Sequence, residues 1–137
     1  MGKINWGRVF LCGILAGGVY LLLSLPIFVF ALRETEFAAA VEAAGRPTFP
    51  PLPFILHLAG GIWTMWLYAA IRPRYGPGPK TAAVAGLAVW VIAALLEAQL
   101  VSLRLIPLPL GALVAPVAAG LPVAIVAAVV GAWLYKE

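Results

Sequence analysis

The stretch Arg72-Pro-Arg-Tyr-Gly-Pro-Gly-Pro-Lys80 is a basic turn that separates two long apolar runs. The run before it, residues 52–71, carries no formal charge when its histidine is neutral, and the run after it, residues 81–103, carries only Glu97. Each run is long enough to cross a bilayer as a helix, which takes about 20 residues. Because the turn is short, the two helices must run antiparallel across the same membrane. Because successive spans cross in opposite directions, the side of the membrane on which this turn lies determines the orientation of all the other spans.

The composition indicates an integral membrane protein. Of the 137 residues 64% are hydrophobic and only 10% are charged, whereas a soluble domain has about 25% charged residues. Four crossings of about 20 residues, joined by short loops, use the whole length. We therefore predict an all-α, integral membrane four-helix bundle that forms a single domain over residues 1–137, with spans near residues 9–32, 52–71, 81–103 and 111–135.

The basic residues predict which helix ends face the cytoplasm. The formal net charge is +4, and the basic side chains are scattered in loops and termini, so the positive-inside rule explains them more simply than nucleic-acid binding does. We expect no nucleic-acid partner. One side of the membrane receives six basic residues and the other receives three, which predicts that both termini are cytoplasmic. The six are Lys3, Arg8, Arg72, Arg74, Lys80 and Lys136, and the three are Arg33, Arg46 and Arg104.

Residues 33–46 form the only charged stretch that is not a tight turn. Phe37, Val41 and Ala44 fall on one helical face, and Gly45 is placed to end a helix. We predict a short amphipathic helix between the first two spans, on the side opposite the termini, which is the periplasm in a bacterium. There it lies on the membrane surface or on the bundle. In the alternative interpretation, Phe37 and Val41 dock a partner protein.

Small residues at helical spacing predict where the spans pack against one another. In a bilayer, small side chains let helix backbones approach closely, and van der Waals contact then holds the helices together. The first span has Gly13 and Gly17 in a Gly-x-x-x-Gly pair. The predicted packing residues of the third and fourth spans are Gly86, Ala93, Gly120, Ala124 and Ala128.

Glu97 and His57 are the ionisable residues predicted to lie within the spans. His57 is 15 residues before Arg72 and Glu97 is 17 residues after Lys80, so at about 1.5 Å per residue both lie at a similar depth. A carboxylate at the centre of a span costs about 2.5 to 3.5 kcal/mol on insertion scales and is a functional-site hypothesis by default. We expect a structural clasp of Glu97 with His57, or with Arg104 bending inward. A proton or substrate role is the alternative.

His57 has a further interpretation, as an axial ligand to a haem or chlorophyll. Trp63 and Trp66 follow it on the same helix, which is similar to the tryptophans that follow a ligating histidine in bacterial antenna helices. A metal site is not expected, because one histidine and one glutamate fall short of the three protein ligands usual for catalytic zinc. The single cysteine, Cys12, has no partner for a disulfide or a cysteine metal site. We expect no cofactor, with a tetrapyrrole on His57 as the alternative.

No pattern typical of an enzyme is present. The sequence lacks a Ser/His/Asp set and a pair of carboxylates at convergent spacing, and the Gly76-Pro-Gly-Pro79 run has prolines where a phosphate-binding loop needs backbone donors. We therefore predict a non-enzymatic protein.

Three segments together resemble a set of small, uncharacterised bacterial inner-membrane proteins. They are Leu67-Tyr-Ala-Ala-Ile-Arg-Pro-Arg-Tyr-Gly-Pro-Gly-Pro-Lys-Thr-Ala82, Ile4-Asn-Trp-Gly-Arg8 and Gly131-Ala-Trp-Leu-Tyr-Lys136. The resemblance spans nearly the whole chain. It implies four helices in a bacterial inner membrane and carries no assigned activity.

Three functions are consistent with these features. The first is a non-enzymatic accessory subunit of a larger bacterial membrane complex, for example a respiratory or photosynthetic one, because the chain has small-residue packing faces but no catalytic groups. The second is a small proton-coupled transporter or channel that works as an oligomer and uses Glu97. The third is a haem or chlorophyll holder that uses His57. The expected partners are the lipid bilayer and either other membrane subunits or further copies of the chain.

Overall fold

The computed structural model describes residues 4–45, 51–106 and 108–135. Over these residues the chain forms five α-helices and one short 3-10 helix, with no strand. The α-helices are α1 (Trp6–Phe30), α2 (Glu36–Ala44), α3 (Leu52–Tyr75), α4 (Pro79–Ser102) and α5 (Val114–Leu134), and the 3-10 helix is Leu110–Leu113. The predicted all-α four-helix bundle is confirmed, together with the short helix between its first two long helices.

Four segments are long and apolar enough to cross a membrane. They are α1, α3, α4 and the continuous stretch Leu110–Leu134, each of 24 or 25 residues. Many of their large apolar side chains point away from the bundle, including Leu22, Leu95 and Trp133. Such exposure is expected where the surrounding solvent is lipid. The chain is therefore a multi-pass membrane protein.

The turn between α3 and α4 is shorter than the nine-residue loop that the sequence suggests. Helix α3 continues through Pro73 to Tyr75, and α4 begins at Pro79, so only residues 76–78 connect them. Arg72 and Arg74 lie in the last turn of α3, where cations interact favourably with the helix dipole. Gly76 then ends the helix with a φ of 82°, a conformation that glycine adopts without strain.

The four long helices form a ring in the order α1, α3, α4, α5, with each helix antiparallel to both neighbours. The most extensive contact is between α1 and α3, followed by those of α5 with α4 and α1. Helix α2 lies across one end of this ring. Of the residues used above to predict orientation and the α2 face, Lys3, Arg46, Lys136 and the side chain of Ala44 lie outside the described part of the chain.

The buried core is concentrated in one half of the bundle. This half, the closed half, contains the described ends of the chain and the α3–α4 turn. Its fully or almost fully buried side chains are Val9, Cys12, Ala16, Met65, Tyr68, Ala69, Ala82, Ala85 and Tyr135. The other half, the open half, contains α2 and the connection from α4 to α5. The candidate site lies there, in a cavity between the helices.

Candidate functional site

The open half encloses a cavity of about 470 Å³, which we call the lumen. All four long helices and α2 contribute to its wall. A second cavity of about 350 Å³ adjoins it toward the middle of the bundle and shares Tyr20, His57, Trp90, Ala93 and Glu97 with it. The polar and aromatic residues that line the lumen are Tyr20, Ser24, Phe28, Phe37, His57, Trp90 and Glu97.

Glu97 lies at the entrance to the lumen. It is on α4, five residues before the helix ends at Ser102, and its side chain is exposed in the isolated chain. Besides the lumen and the adjoining cavity, Glu97 lines a third cavity of about 450 Å³ between α2 and the α4–α5 connection. The Glu97 side chain therefore lines all three cavities.

The structure brings His57 and Glu97 to the same cavity, as their distances from the turn predict. Both line the lumen, and so does Tyr20 of α1. The rings of Tyr20 and His57 are in contact, with centroids 5.3 Å apart and planes inclined at 45°. Tyr20, His57 and Glu97 thus form one group of titratable side chains, contributed by three helices.

The hydrogen bond of His57 fixes its neutral tautomer. Nδ1 lies 2.6 Å from the carbonyl oxygen of Pro53, one turn earlier on α3. Because a carbonyl oxygen only accepts hydrogen bonds, Nδ1 carries the hydrogen and donates it. In the neutral ring, Nε2 is then an acceptor. His57 therefore offers a proton-accepting nitrogen in the group that contains Glu97.

Arg104 is not part of this group. It follows the C-terminus of α4, in the left-handed conformation with a φ of 58°, and its side chain is exposed. Over the described residues, no ion pair joins it to Glu97. Of the two partners expected for the carboxylate, His57 lines the lumen together with Glu97, and Arg104 does not.

Trp90 and Tyr20 line the lumen but were not singled out from the sequence. The indole Nε1 of Trp90 donates a hydrogen bond of 3.0 Å to the carbonyl oxygen of Val117, which ties α4 to α5. Trp90 precedes Glu97 by seven residues, close to two helical turns, so its spacing is a signal that could have identified it. Tyr20 has no such signal, because its neighbours in the site belong to other helices.

Two of the predicted packing residues, Gly13 and Gly17, lie at the crossing of α1 with α3. A Cβ atom built on Gly17 is 2.6 Å from the carbonyl oxygen of His57, and one built on Gly13 meets the backbone of Ile62. Gly61, which the sequence did not single out, faces both glycines, and a Cβ there meets the Gly13 carbonyl oxygen and the Gly17 nitrogen. Three glycines therefore allow α1 and α3 to touch through their backbones.

The other predicted packing residues divide between a helix contact and the lumen. A Cβ atom on Gly86 is 2.8 Å from the carbonyl oxygen of Ala124 and 2.9 Å from Cβ of Ala128, so α4 and α5 approach closely there. Ala93 and Gly120 lie in the open half, where both line the lumen.

The predicted docking residues Phe37 and Val41 lie beside the lumen. Phe37 packs edge-on against Phe28 of α1, with ring centroids 6.3 Å apart. Val41 lines the lumen and is 43% exposed, while Ala38 is buried. Helix α2 therefore forms part of the wall of the lumen, and its docking role stays a prediction.

Aromatic and polar contacts hold the closed half together. The backbone N–H groups of Asn5 and Gly78 donate to the hydroxyls of Tyr135 and Tyr68, each over 3.3 Å. The two tyrosine rings meet edge to face at 5.8 Å, and the Arg72 guanidinium lies 5.6 Å above the Tyr135 ring. A packed core therefore separates the lumen from the closed end of the bundle.

The haem or chlorophyll hypothesis for His57 stays a prediction. A ligating histidine usually donates its second ring N–H to a backbone carbonyl or a carboxylate, and the bond from Nδ1 to Pro53 has this form. Absorbance of the purified protein in the visible and near-infrared ranges tests the hypothesis directly.

Within residues 4–45, 51–106 and 108–135, no group of three or more His, Cys, Asp or Glu side chains is placed to hold a metal ion.

Comparisons of the chain with protein-family models, with curated proteins and with solved structures found no match.

Proposed function

We propose that the chain is a small proton-coupled membrane transporter in which Glu97 binds and releases the coupling proton. One observation carries the proposal: Tyr20, His57 and Glu97, from three different helices, converge on a cavity inside the membrane-spanning bundle. A pocket of roughly 300 to 1,000 Å³ that is mostly apolar and has a few convergent polar groups is typical of a small-molecule site. An ionisable residue within a span marks a substrate or proton pathway by default.

The asymmetry of the bundle supports a transporter rather than an open channel. The lumen and the cavity beside α2 lie in the open half, while Met65, Val9, Ala82 and Ala85 are fully buried in the closed half. A transporter alternates between two such states, each accessible from one side of the membrane. In the proposed cycle, the state with a packed closed half is the one whose lumen faces the side of α2.

We assign the sides of the membrane from charge. Among the described residues, Arg8, Arg72, Arg74 and Lys80 are in the closed half, whereas Arg33 and Arg104 are beside the open half. The positive-inside rule places the closed half in the cytoplasm, and the resemblance noted above favours a bacterial inner membrane. In intact cells, a membrane-impermeant thiol reagent is expected to label Glu36→Cys on α2 and to spare Pro77→Cys in the α3–α4 turn. The reverse pattern contradicts this orientation.

Proton flux in liposomes tests the proposed transport. Protein is reconstituted with a pH-sensitive dye inside the vesicles, and a proton gradient is applied in the presence and absence of candidate substrates. We expect substrate-dependent proton movement that Glu97→Gln abolishes. The amide has the same shape as the carboxyl group but does not bind and release a proton at the pH of the assay.

Glu42→Gln is the matched control for that experiment. It makes the same chemical change at an exposed position on α2 that does not line the lumen, so its flux is expected to equal that of the wild type. Equal flux in the wild type and in Glu97→Gln contradicts the proposal. An equal loss in both variants also contradicts it, because the effect is then not specific to the lumen.

An accessory subunit of a larger membrane complex is the second candidate function. It is favoured by the exposure of Glu97 and Val41 beside the lumen entrance, since a charged group in a bilayer requires a partner or water. Extraction in a mild detergent followed by native mass measurement tests it. A stoichiometric second protein that is lost in Val41→Asp supports this function, a homo-oligomer agrees with the transporter, and a monomer contradicts the subunit hypothesis.

A further inference from the structure

The geometry points to a lipophilic organic cation as the occupant of the lumen. This inference rests on the proposed function, because it names the substrate class for the same cavity. It depends on three properties of the lining: its charge, its aromatic rings and its volume.

The charge of the lining favours a cation. Among the described residues around the lumen, Glu97 is the only acidic one, and none is lysine or arginine. The one basic side chain among them is His57, whose Nδ1 is engaged by its bond to the Pro53 carbonyl oxygen. The carboxylate therefore has no permanently charged lysine or arginine beside it in the lining. In a low-dielectric site a bound cation satisfies this charge, whereas an anion is repelled by it.

The aromatic residues of the lining favour a cation that is large and poorly hydrated. Tyr20, Phe28, Phe37 and Trp90 all line the lumen, and they come from α1, α2 and α4. A cation over the face of an aromatic ring is attracted by the quadrupole of the ring, and sites for quaternary ammonium groups are built in this way. The hydrogen bond from Trp90 to Val117 holds the indole in place before any ligand arrives.

The volume and the entrance agree with a drug-sized ligand. The lumen of about 470 Å³ is within the usual range for such sites. The cavity between α2 and the α4–α5 connection, which shares Glu97 with the lumen, offers a path to it. Its other lining residues, such as Ile106, Leu108 and Leu113, are apolar. A ligand entering there passes apolar side chains before it reaches the carboxylate, which suits an amphipathic cation and disfavours a small hydrated ion.

Binding of tetraphenylphosphonium to the purified full chain in detergent tests the inference. Equilibrium dialysis with labelled ligand measures the dissociation constant, after subtraction of partition into protein-free micelles. Tetraphenylborate, which has nearly the same size and shape but the opposite charge, is the matched ligand control. We expect saturable binding of the cation and at least about tenfold weaker binding of the anion.

Two variants assign the binding to the lumen. Glu97→Gln is expected to weaken binding of the cation at least about tenfold, and the exposed Glu42→Gln is expected to leave it unchanged. Circular dichroism and size-exclusion chromatography confirm that each variant is folded. The inference is overturned if the cation and the anion bind equally, if no saturable cation binding is found, or if Glu97→Gln binds the cation as tightly as the wild type does.

The binding and flux experiments fail in distinguishable ways. Glu97-dependent cation binding without any proton movement in liposomes supports the lumen as a cation site and contradicts the transporter. Proton movement that depends on Glu97 while the cation does not bind supports the transporter and overturns the substrate class.

Discussion

The ring of Tyr20 lies against the imidazole of His57, with ring centroids 5.3 Å apart, although the two residues belong to different helices. The contact depends on the glycines one turn away, because Gly17 lets the α1 backbone approach the carbonyl oxygen of His57. The close crossing of α1 and α3 therefore places a phenol and an imidazole side by side in the wall of the lumen. Glu97 lines the same cavity.

Substitutions of Tyr20 should separate the contribution of its ring from that of its hydroxyl. If the ring face contacts a bound cation, Tyr20→Phe should bind tetraphenylphosphonium nearly as well as the wild type does. Tyr20→Leu should bind it roughly threefold or more weakly, since a cation–π contact contributes about 0.5 to 1 kcal/mol or more. Equilibrium dialysis measures both constants. Equal binding by the leucine variant contradicts a ring contact, and a loss in the phenylalanine variant assigns the effect to the hydroxyl.

Adjacent glycines on α3 should differ sharply in their tolerance of alanine. A Cβ atom on Gly61 meets the α1 backbone, with the Cα atom of Gly17 at 2.7 Å, whereas a Cβ atom on Gly60 has nothing within 4 Å. Both substitutions gain helix propensity. We expect Gly61→Ala to be less stable than Gly60→Ala by about 1 to 3 kcal/mol, the usual effect of overpacking. Unfolding in detergent followed by circular dichroism measures the difference, and equal stabilities contradict the backbone contact.

The hydroxyl of Tyr135 should contribute measurably to the stability of the closed half. It accepts a hydrogen bond from the backbone N–H of Asn5, and it connects the two described ends of the chain. Tyr135→Phe removes this acceptor and keeps the ring that packs against Tyr68, so we expect a loss of about 0.5 to 1.5 kcal/mol in the free energy of unfolding. Tyr75→Phe is the control, because Tyr75 is 64% exposed. If both variants lose the same stability, the Asn5 contact is not the cause.

Cysteine labelling should reveal the difference between the open and closed halves. Both test positions are alanines of α4: Ala93 lines the lumen, and Ala85 is fully buried. In a Cys12→Ala background, a small water-soluble thiol reagent is expected to modify Ala93→Cys faster than Ala85→Cys, because only the accessible thiolate reacts. The rates are followed by mass spectrometry. Equal rates at the two positions would show that the lumen is not accessible to water.

The sequence by itself determined the number of helices and the depth of the two ionisable groups. Apolar runs must match the thickness of the bilayer, so their lengths give the spans, and the observed ends of α1 and α4 differ from the predicted ones by no more than three residues. Distance from the α3–α4 turn measures depth, which is why His57 and Glu97 were expected together. Helix α3 ends four residues beyond the predicted span, because the turn begins later and Pro73 lies within the last turn of the helix.

Only the tertiary structure decided which helix faces meet and which half of the bundle stays open. Lipid is as apolar as the interior of the bundle, so hydropathy does not mark the inward face of a helix such as α1 and could not select Tyr20 as a neighbour of His57. The pairing of Gly61 with Gly13 and Gly17 likewise depends on the register between two helices, which no single segment contains. The lumen lies in the half of the bundle that the core cluster does not fill, which depends on how all four helices pack together.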